Sequence, residues 1–187
     1  MAIGRHDLLR LFAAMLAVGL APIAAGAGER YADAEFGYAL TAPAGWTRKT
    51  SMPRPMVAFL GPLQGGFQTN FFVDPEPTEH KTLAQIVKVA RAADAKNPAI
   101  RVRRQRSSTL GGHPAVVLDS IVTLKGQPPV FTRRVVTIYG DLSYTLTFSA
   151  VPEALKKDAT LFNRVAASFR FPEDADRRKR SRGSAVR

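Results

Sequence analysis

Four residues within a short span, Asp74, Glu76, Glu79 and His80, offer the densest metal-competent chemistry in the chain. Carboxylate oxygens with one imidazole suit a hard or borderline divalent cation. Pro75 and Pro77 stand among them, and helical ligand spacing is missing. A solvated acidic loop leading into a helix accounts for the run as well, since acidic groups are favoured near a helix N-terminus. No metal or other cofactor is therefore assigned. His113 is the second candidate. A catalytic imidazole needs an orienting carboxylate and a nucleophile within hydrogen-bond reach, and Asp119 and Ser120 are nearby in sequence. On an extended strand those two neighbours point to opposite faces, so no triad is expected. The glycine-rich stretch from Gly61 to Gly66 lacks the Lys-Ser/Thr pair and the following helix of a phosphate loop. Cysteine is absent, which excludes thiol catalysis and thiolate metal sites. A hydrolase is left without a usable nucleophile–base pair, and the chain reads as non-enzymatic.

The remaining chemistry is charge. Arg101, Arg103, Arg104 and Arg106 form the strongest local cluster, and Arg177, Arg178, Lys179 and Arg180 form a second one. The formal charge is +12; taking off the +1 of residues 1–27 and the +3 of residues 173–187 leaves +8 for residues 28–172. Such a balance attracts anionic surfaces: lipid headgroups, acidic polysaccharide or an acidic protein. Strict alternation over Ile100–Ser107 places Arg101 and Arg103 on one face and Arg104 and Arg106 on the other. An interior strand tolerates that poorly, so an edge or protruding strand is expected. Charge on an edge also guards against aggregation. The docking reading adds to this an acidic partner and an attraction that weakens with salt.

The N-terminus sets the compartment in which these charges would act. Arg5 and Arg10 bracket a short charged head, and an apolar run from Leu8 through Leu16 and Leu20 reaches Ile23. Ala25 and Ala27 then stand in the spacing a signal peptidase reads. This is the pattern of a secretory signal, with cleavage expected after Ala27 and a periplasmic or secreted product. Retention as a membrane anchor is the alternative, for which the apolar run is short of about 20 residues. Export makes nucleic acid a poor partner despite the charge.

The elements that must position these groups follow from periodicity. Two extended pieces flank Gly37, and Trp46 after the Pro43–Gly45 turn reads as a core plug. Short strands are expected at Met56–Leu60 and Gln68–Val73, the second ended by Pro75 and Pro77. Thr82 with Gln85 makes a capping box, and Leu83, Ile86, Val87, Ala90 and Ala93 make one helical face. The helix stops before Asn97-Pro98. Strands are expected over Ala115–Leu124, Val130–Tyr139 and Ser143–Ala150. The last of these sets Tyr144, Leu146, Phe148 and Ala150 against a polar or half-wet face of Ser143, Thr145, Thr147 and Ser149. Pro152 and Glu153 open a second helix with Leu155, Ala159, Phe162, Val165 and Ala166 on its apolar face. Ser168–Phe171 is a short closing strand, and residues 173–187 have the composition of a disordered tail. Strands, helix, strands, helix and strand make an α+β layout, an antiparallel sheet with helices packed on it.

Several local phrases in this order resemble the PsbP-like fold, which includes the lumenal accessory protein of photosystem II, DcrB-like periplasmic proteins and a small Ran-binding nuclear factor. They are Phe36-Gly37-Tyr38-Ala39-Leu40 leading to Pro43-Ala44-Gly45-Trp46, and Gly111-Gly112-His113-Pro114-Ala115 before a long strand. Asp141-Leu142-Ser143-Tyr144-Thr145-Leu146 follows, then Ala166-Ala167-Ser168-Phe169. The match spans roughly residues 30–171. The resemblance implies an α-β-α sandwich with a sheet of six to seven strands, and a non-catalytic accessory or binding role. DcrB-like relatives are typically lipid-anchored through an N-terminal cysteine, which this chain lacks, and photosynthesis is not carried over.

The resulting expectation is an exported accessory or binding protein that docks on an unknown protein or anionic envelope component, with peripheral membrane contact. The alternative is a carrier of a small hydrophobic ligand, its cleft between sheet and helix near Phe67, Phe71, Phe72 and Tyr144.

Overall fold

The structure, a computed structural model, describes residues 28–53 and 55–172. Residues 1–27, read from the sequence as a secretory signal, and residues 173–187 with Arg177, Arg178, Lys179 and Arg180 lie outside the described residues, as do the side chains of Leu155 and Ala159. In chain order the elements are β1 (Arg30–Asp33), β2 (Tyr38–Thr41), β3 (Thr47–Lys49), β4 (Val57–Gln64) and β5 (Phe67–Pro77). Then come α1 (Leu83–Ala95), β6 (Ile100–Leu110), β7 (His113–Val122), β8 (Val130–Tyr139), β9 (Leu142–Ala150) and α2 (Leu155–Ser168). β1 and β2 pair with each other, and the rest form a 7-stranded antiparallel sheet in the order β3-β4-β5-β9-β8-β7-β6. This is the α+β class expected from the sequence.

One sheet face carries the main core. Tyr144, Leu146, Phe148 and Ala150 of β9 join Phe59, Phe71, Val73, Val117 and Val135 from neighbouring strands. Phe162 and Val165 of α2, with Tyr31, Tyr38 and Leu40 of β1 and β2, close over them. Each buried side chain of this size contributes roughly 1.5–3 kcal/mol. The other face holds α1. Its Val87 packs on Leu118 and Val136, flanked by Leu83, Ile86 and Val116. Farther along the same face, Ala58, Leu60 and Phe72 pack with Met52 and Met56. The capping box at Thr82 is formed, Gln85 N–H donating to Thr82 Oγ1 at 3.3 Å and Thr82 N–H to Gln85 Oε1 at 2.8 Å.

Several elements differ from the sequence expectation for identifiable reasons. β5 runs on through Pro75 and Pro77. Beyond Val73 it has no partner on the β4 side among the described residues, and an edge of that kind tolerates proline. Gly61 and Pro62 do not break β4; the register shifts between Leu60 and Leu63 instead, and the turn falls at Gly65-Gly66. His113 and Pro114 belong to β7, the turn being Gly111-Gly112, with φ values of 58° and 85° that suit a two-residue hairpin. Residues 168–171 form no strand. Arg170 makes one bridge to Ala39, with hydrogen bonds of 2.8 and 2.9 Å, while Phe169 and Phe171 enter the core. α2 begins after a turn at Pro152–Ala154.

The polar face of β9 is buried too. Ser143, Thr147 and Ser149 are at most 4 % exposed, because this face of the sheet is the one that carries α1 and the Met52–Met56 segment. Ser149 lies opposite Asn70 and Thr132, and Thr132 opposite Ser120, so a polar row crosses four strands inside the molecule.

Trp46 closes the β3–β4 end as expected. It is 8 % exposed and its ring lies 5.5 Å from that of Phe71. Only a hydrogen at Gly61 leaves room for it, since a β-carbon there would meet the indole at 2.5 Å. Gly61→Ala is therefore expected to lower stability by about 1–3 kcal/mol, measured by urea denaturation. An unchanged midpoint would show that Trp46 has room to move.

Candidate functional site

Among the described residues β6 is the last strand of the sheet, paired with β7 along its length and with nothing beyond. Only Ile100, Val102 and Leu110 are apolar in its 11 residues, and Leu110 alone is buried. The strand forms because β7 templates it: β7 is paired with β8 on its other side and buries Ala115 and Val117 on one face and Leu118 and Val122 on the other. The expectation of an edge strand is thus met.

The distribution of its arginines differs from simple alternation. Val102 pairs with Ser120 and Arg104 with Asp119, so Arg103 is an extra residue between consecutive partners. A bulge of this kind shifts the following residues to the other face. Arg101 lies opposite Ile121, Arg104 opposite Asp119 and Arg106 opposite Val117. All three therefore share the face that carries the main core, while Val102, Gln105, Ser107 and Thr109 share the α1 face. Residues two apart along a strand are about 6.7 Å apart, so the guanidinium groups form a one-sided ladder. Arg101, Arg103 and Arg104 are exposed and Arg106 is partly so.

The acidic group nearest to this ladder in register is already engaged. Asp119 receives Arg133 Nε at 2.7 Å on one oxygen and Nη2 at 2.8 Å on the other. This bidentate geometry is the strong form of such a pair, and Arg133 also lies over the rings of Phe131 and Phe162. Arg104, on the other side of Asp119, therefore meets a satisfied carboxylate. Among the described residues no carboxylate pairs with any of the four β6 arginines.

On the opposite face a groove of about 480 Å³ runs between β6 and α1. It is lined by buried Val87 and half-buried Val116, by exposed Ala84 and Ala92, and by the polar side chains of Lys88, Arg91 and Gln105. Arg91 Nη1 donates to Gln105 Oε1 at 3.2 Å across its mouth, an exposed contact.

The other sequence candidates are dispersed. Asp74 and Glu76 project from β5 on the α1 face, whereas Glu79 and His80 occupy a turn with φ values of 51° and 62°. Lys81 pairs with Glu79 and holds its carboxyl below the usual range, chiefly by hydrogen bonding and then by charge. No group of three His, Asp or Glu side chains converges among the described residues. His113 packs edge-on against Tyr139 and Phe171 at 5.0 and 5.2 Å, and Asp119 is taken by Arg133. Of the four aromatics proposed to line a ligand cleft, Phe71 and Tyr144 are in the main core, Phe72 packs with the Met52–Met56 segment and Phe67 with Val130 and Val151. They line no common cleft. The Tyr144 hydroxyl donates to Phe36 O at 2.6 Å, and burial above all, then Tyr139 and Asp33, pushes its pKa to about 12.

Two features had weak sequence signals. Asp94 falls on the apolar face of α1 beside Val87, and it is buried against Arg134 of β8. A lone acid within an apolar helical stripe is the sign of such a pair. Asp74 is half-buried beside Glu76, and burial first, then Glu76, raises its pKa from 3.8 to about 7.

A 7-stranded antiparallel sheet with a helix on each face and a separate β1–β2 ribbon defines the PsbP-like α+β fold. Among solved structures, the chain is similar to cyanobacterial PsbP from Synechocystis sp. PCC 6803, with 19% identity, a TM-score of 0.57, and 82% of this chain and 98% of that one covered. It is also similar to Mycobacterium tuberculosis LpqN, described as involved in cell envelope biogenesis, at 16% identity and TM-score 0.56, covering 78% and 86% of the two chains. A Pseudomonas aeruginosa protein of unknown function, described as a putative regulator, matches at 18% identity and TM-score 0.53, covering 74% and 92%. No protein-family model and no curated protein sequence matches the chain.

Proposed function

We propose that this chain is a non-catalytic, exported accessory protein that docks on an anionic, membrane-associated partner through the basic face of β6. One observation carries the reading: Arg101, Arg104 and Arg106 stand on a single face of an open sheet edge, with no carboxylate partner among the described residues. Arg177, Arg178, Lys179 and Arg180 add long-range attraction, and the leader pattern supplies the compartment. The involvement of LpqN in cell envelope biogenesis agrees with this reading, although the shared feature is the fold.

The test is the triple variant Arg101→Gln, Arg104→Gln, Arg106→Gln in the full chain. Exposed charges of this kind are worth about 0.2–1 kcal/mol each, so association with the envelope fraction at low salt is expected to fall about tenfold. The urea midpoint should stay unchanged. Equal retention of variant and parent at low salt would remove β6 as the docking surface.

A further inference from the structure

We propose that the β6 edge receives an extended segment of a partner protein whose side chains alternate between acidic and apolar, added as an eighth strand. This rests on the docking function above and narrows the partner from any anionic surface to a strand of defined pattern.

The two edges of the sheet are built differently. β3 is three residues long, Thr47–Lys49, and offers little to pair with. β6 is long, and beyond the bulge Arg104–Leu110 pairs regularly with β7 and leaves its outer side open. That length matches an ordinary strand of about 5–6 residues. Edges that only repel other strands carry charge, bulges or proline that oppose any pairing. Here the bulge gathers Arg101, Arg104 and Arg106 on one face and leaves Gln105, Ser107 and Thr109, which are uncharged, on the other. The edge therefore discriminates: a basic strand is repelled, a neutral one leaves the arginines unpaired, and an acidic one neutralises them.

The register dictates the pattern. Residues of an added strand that lie directly opposite Arg104 and Arg106 share their face and approach them as cross-strand pairs, where opposite charges are favourable. The residues between them turn to the α1 face. There the groove, whose apolar lining is Ala84, Val87, Ala92 and Val116, takes apolar side chains, and the exposed Arg91–Gln105 contact yields. Backbone hydrogen bonds supply affinity and the two unlike faces supply specificity, the division of labour in strand addition.

The full-length protein is titrated with a fluorescent peptide of alternating Glu and Val. A peptide of the same composition in Glu-Glu-Val-Val blocks and vesicles containing an anionic phospholipid are run alongside. Hydrogen exchange of the β6 amides is followed in each case. The alternating peptide is expected to bind about tenfold more tightly than the blocked one and to slow exchange over residues 104–110. Arg104→Gln with Arg106→Gln should weaken it several-fold. Equal affinity for both peptides without protection of β6 would overturn strand addition and leave ionic docking standing. Vesicle binding without peptide binding would do the same and make lipid the partner. Binding to none of the three would overturn both readings.

Discussion

Near pH 8 the Asp74→Asn variant is expected to be more stable than the parent protein by up to about 4 kcal/mol, and near pH 4 the two are expected to converge. Asp74 sits on β5 opposite Thr145, with Phe72 and Glu76 on its own face. Arg134, two strands away on that face, is already committed to Asp94. Burial, and then the charge of Glu76, raises the pKa from 3.8 to about 7. The folded protein therefore keeps a proton that the unfolded chain releases near pH 4. Between those values the native state binds more protons, so stability falls as pH rises and levels off above about pH 7. Asparagine has nearly the same shape and no charge to desolvate, and the variant lacks this loss. Urea denaturation of both proteins across this range isolates the effect as a difference, since titrating groups other than the coupled Glu76 contribute equally. A difference independent of pH would show that the Asp74 carboxyl ionises as it does in water. Glu76→Gln should reproduce a smaller part of the gain.

The elements that were legible in the sequence are those whose signals are local. Thr82 and Gln85 announce a helix start, Asn97-Pro98 its end, and the alternation of Tyr144, Leu146, Phe148 and Ala150 a core strand; all three are where they were expected. The edge position of β6 was legible as well, because four arginines in six residues suit few other places. What the sequence could not show depends on the neighbouring strand. The bulge at Arg103 exists only in the pairing with β7, and it moves Arg104 and Arg106 to the face of Arg101. The prolines of β5 are tolerated because β4 begins only at Val57, opposite Val73, and the serines of β9 with Thr147 are buried because α1 shares their face. Alternation reads which residues share a side and leaves open what covers each side.

Asp94→Ala is expected to destabilise the protein by about 3–5 kcal/mol, and adding Arg134→Met to it should restore most of that loss. Asp94 lies in the last turn of α1, where a carboxylate faces the negative end of the helix dipole, a placement that is itself unfavourable. It is held there by Arg134 of β8, with 6% and 14% of the two side chains exposed. Arg134 lies between Leu118 and Thr147 in register, directly beneath the helix. The pair therefore clamps the C-terminal end of α1 to the sheet, while Val87 on Leu118 and Val136 holds the middle. Removing the acid leaves a guanidinium buried without its counter-charge, and this is where the large cost arises. Replacing both partners removes the burial penalty together with the attraction, so the double variant falls closer to the parent than to Asp94→Ala. Urea midpoints of the two single variants and the double variant complete a mutant cycle. A cost below about 1 kcal/mol for Asp94→Ala would show a solvent-screened pair. A double variant no better than the single would trace the loss to packing of the helix end. The same clamp fixes the wall of the groove beside β6, so Asp94→Ala should also weaken binding of the alternating peptide, whereas the restored double variant should bind it as the parent does.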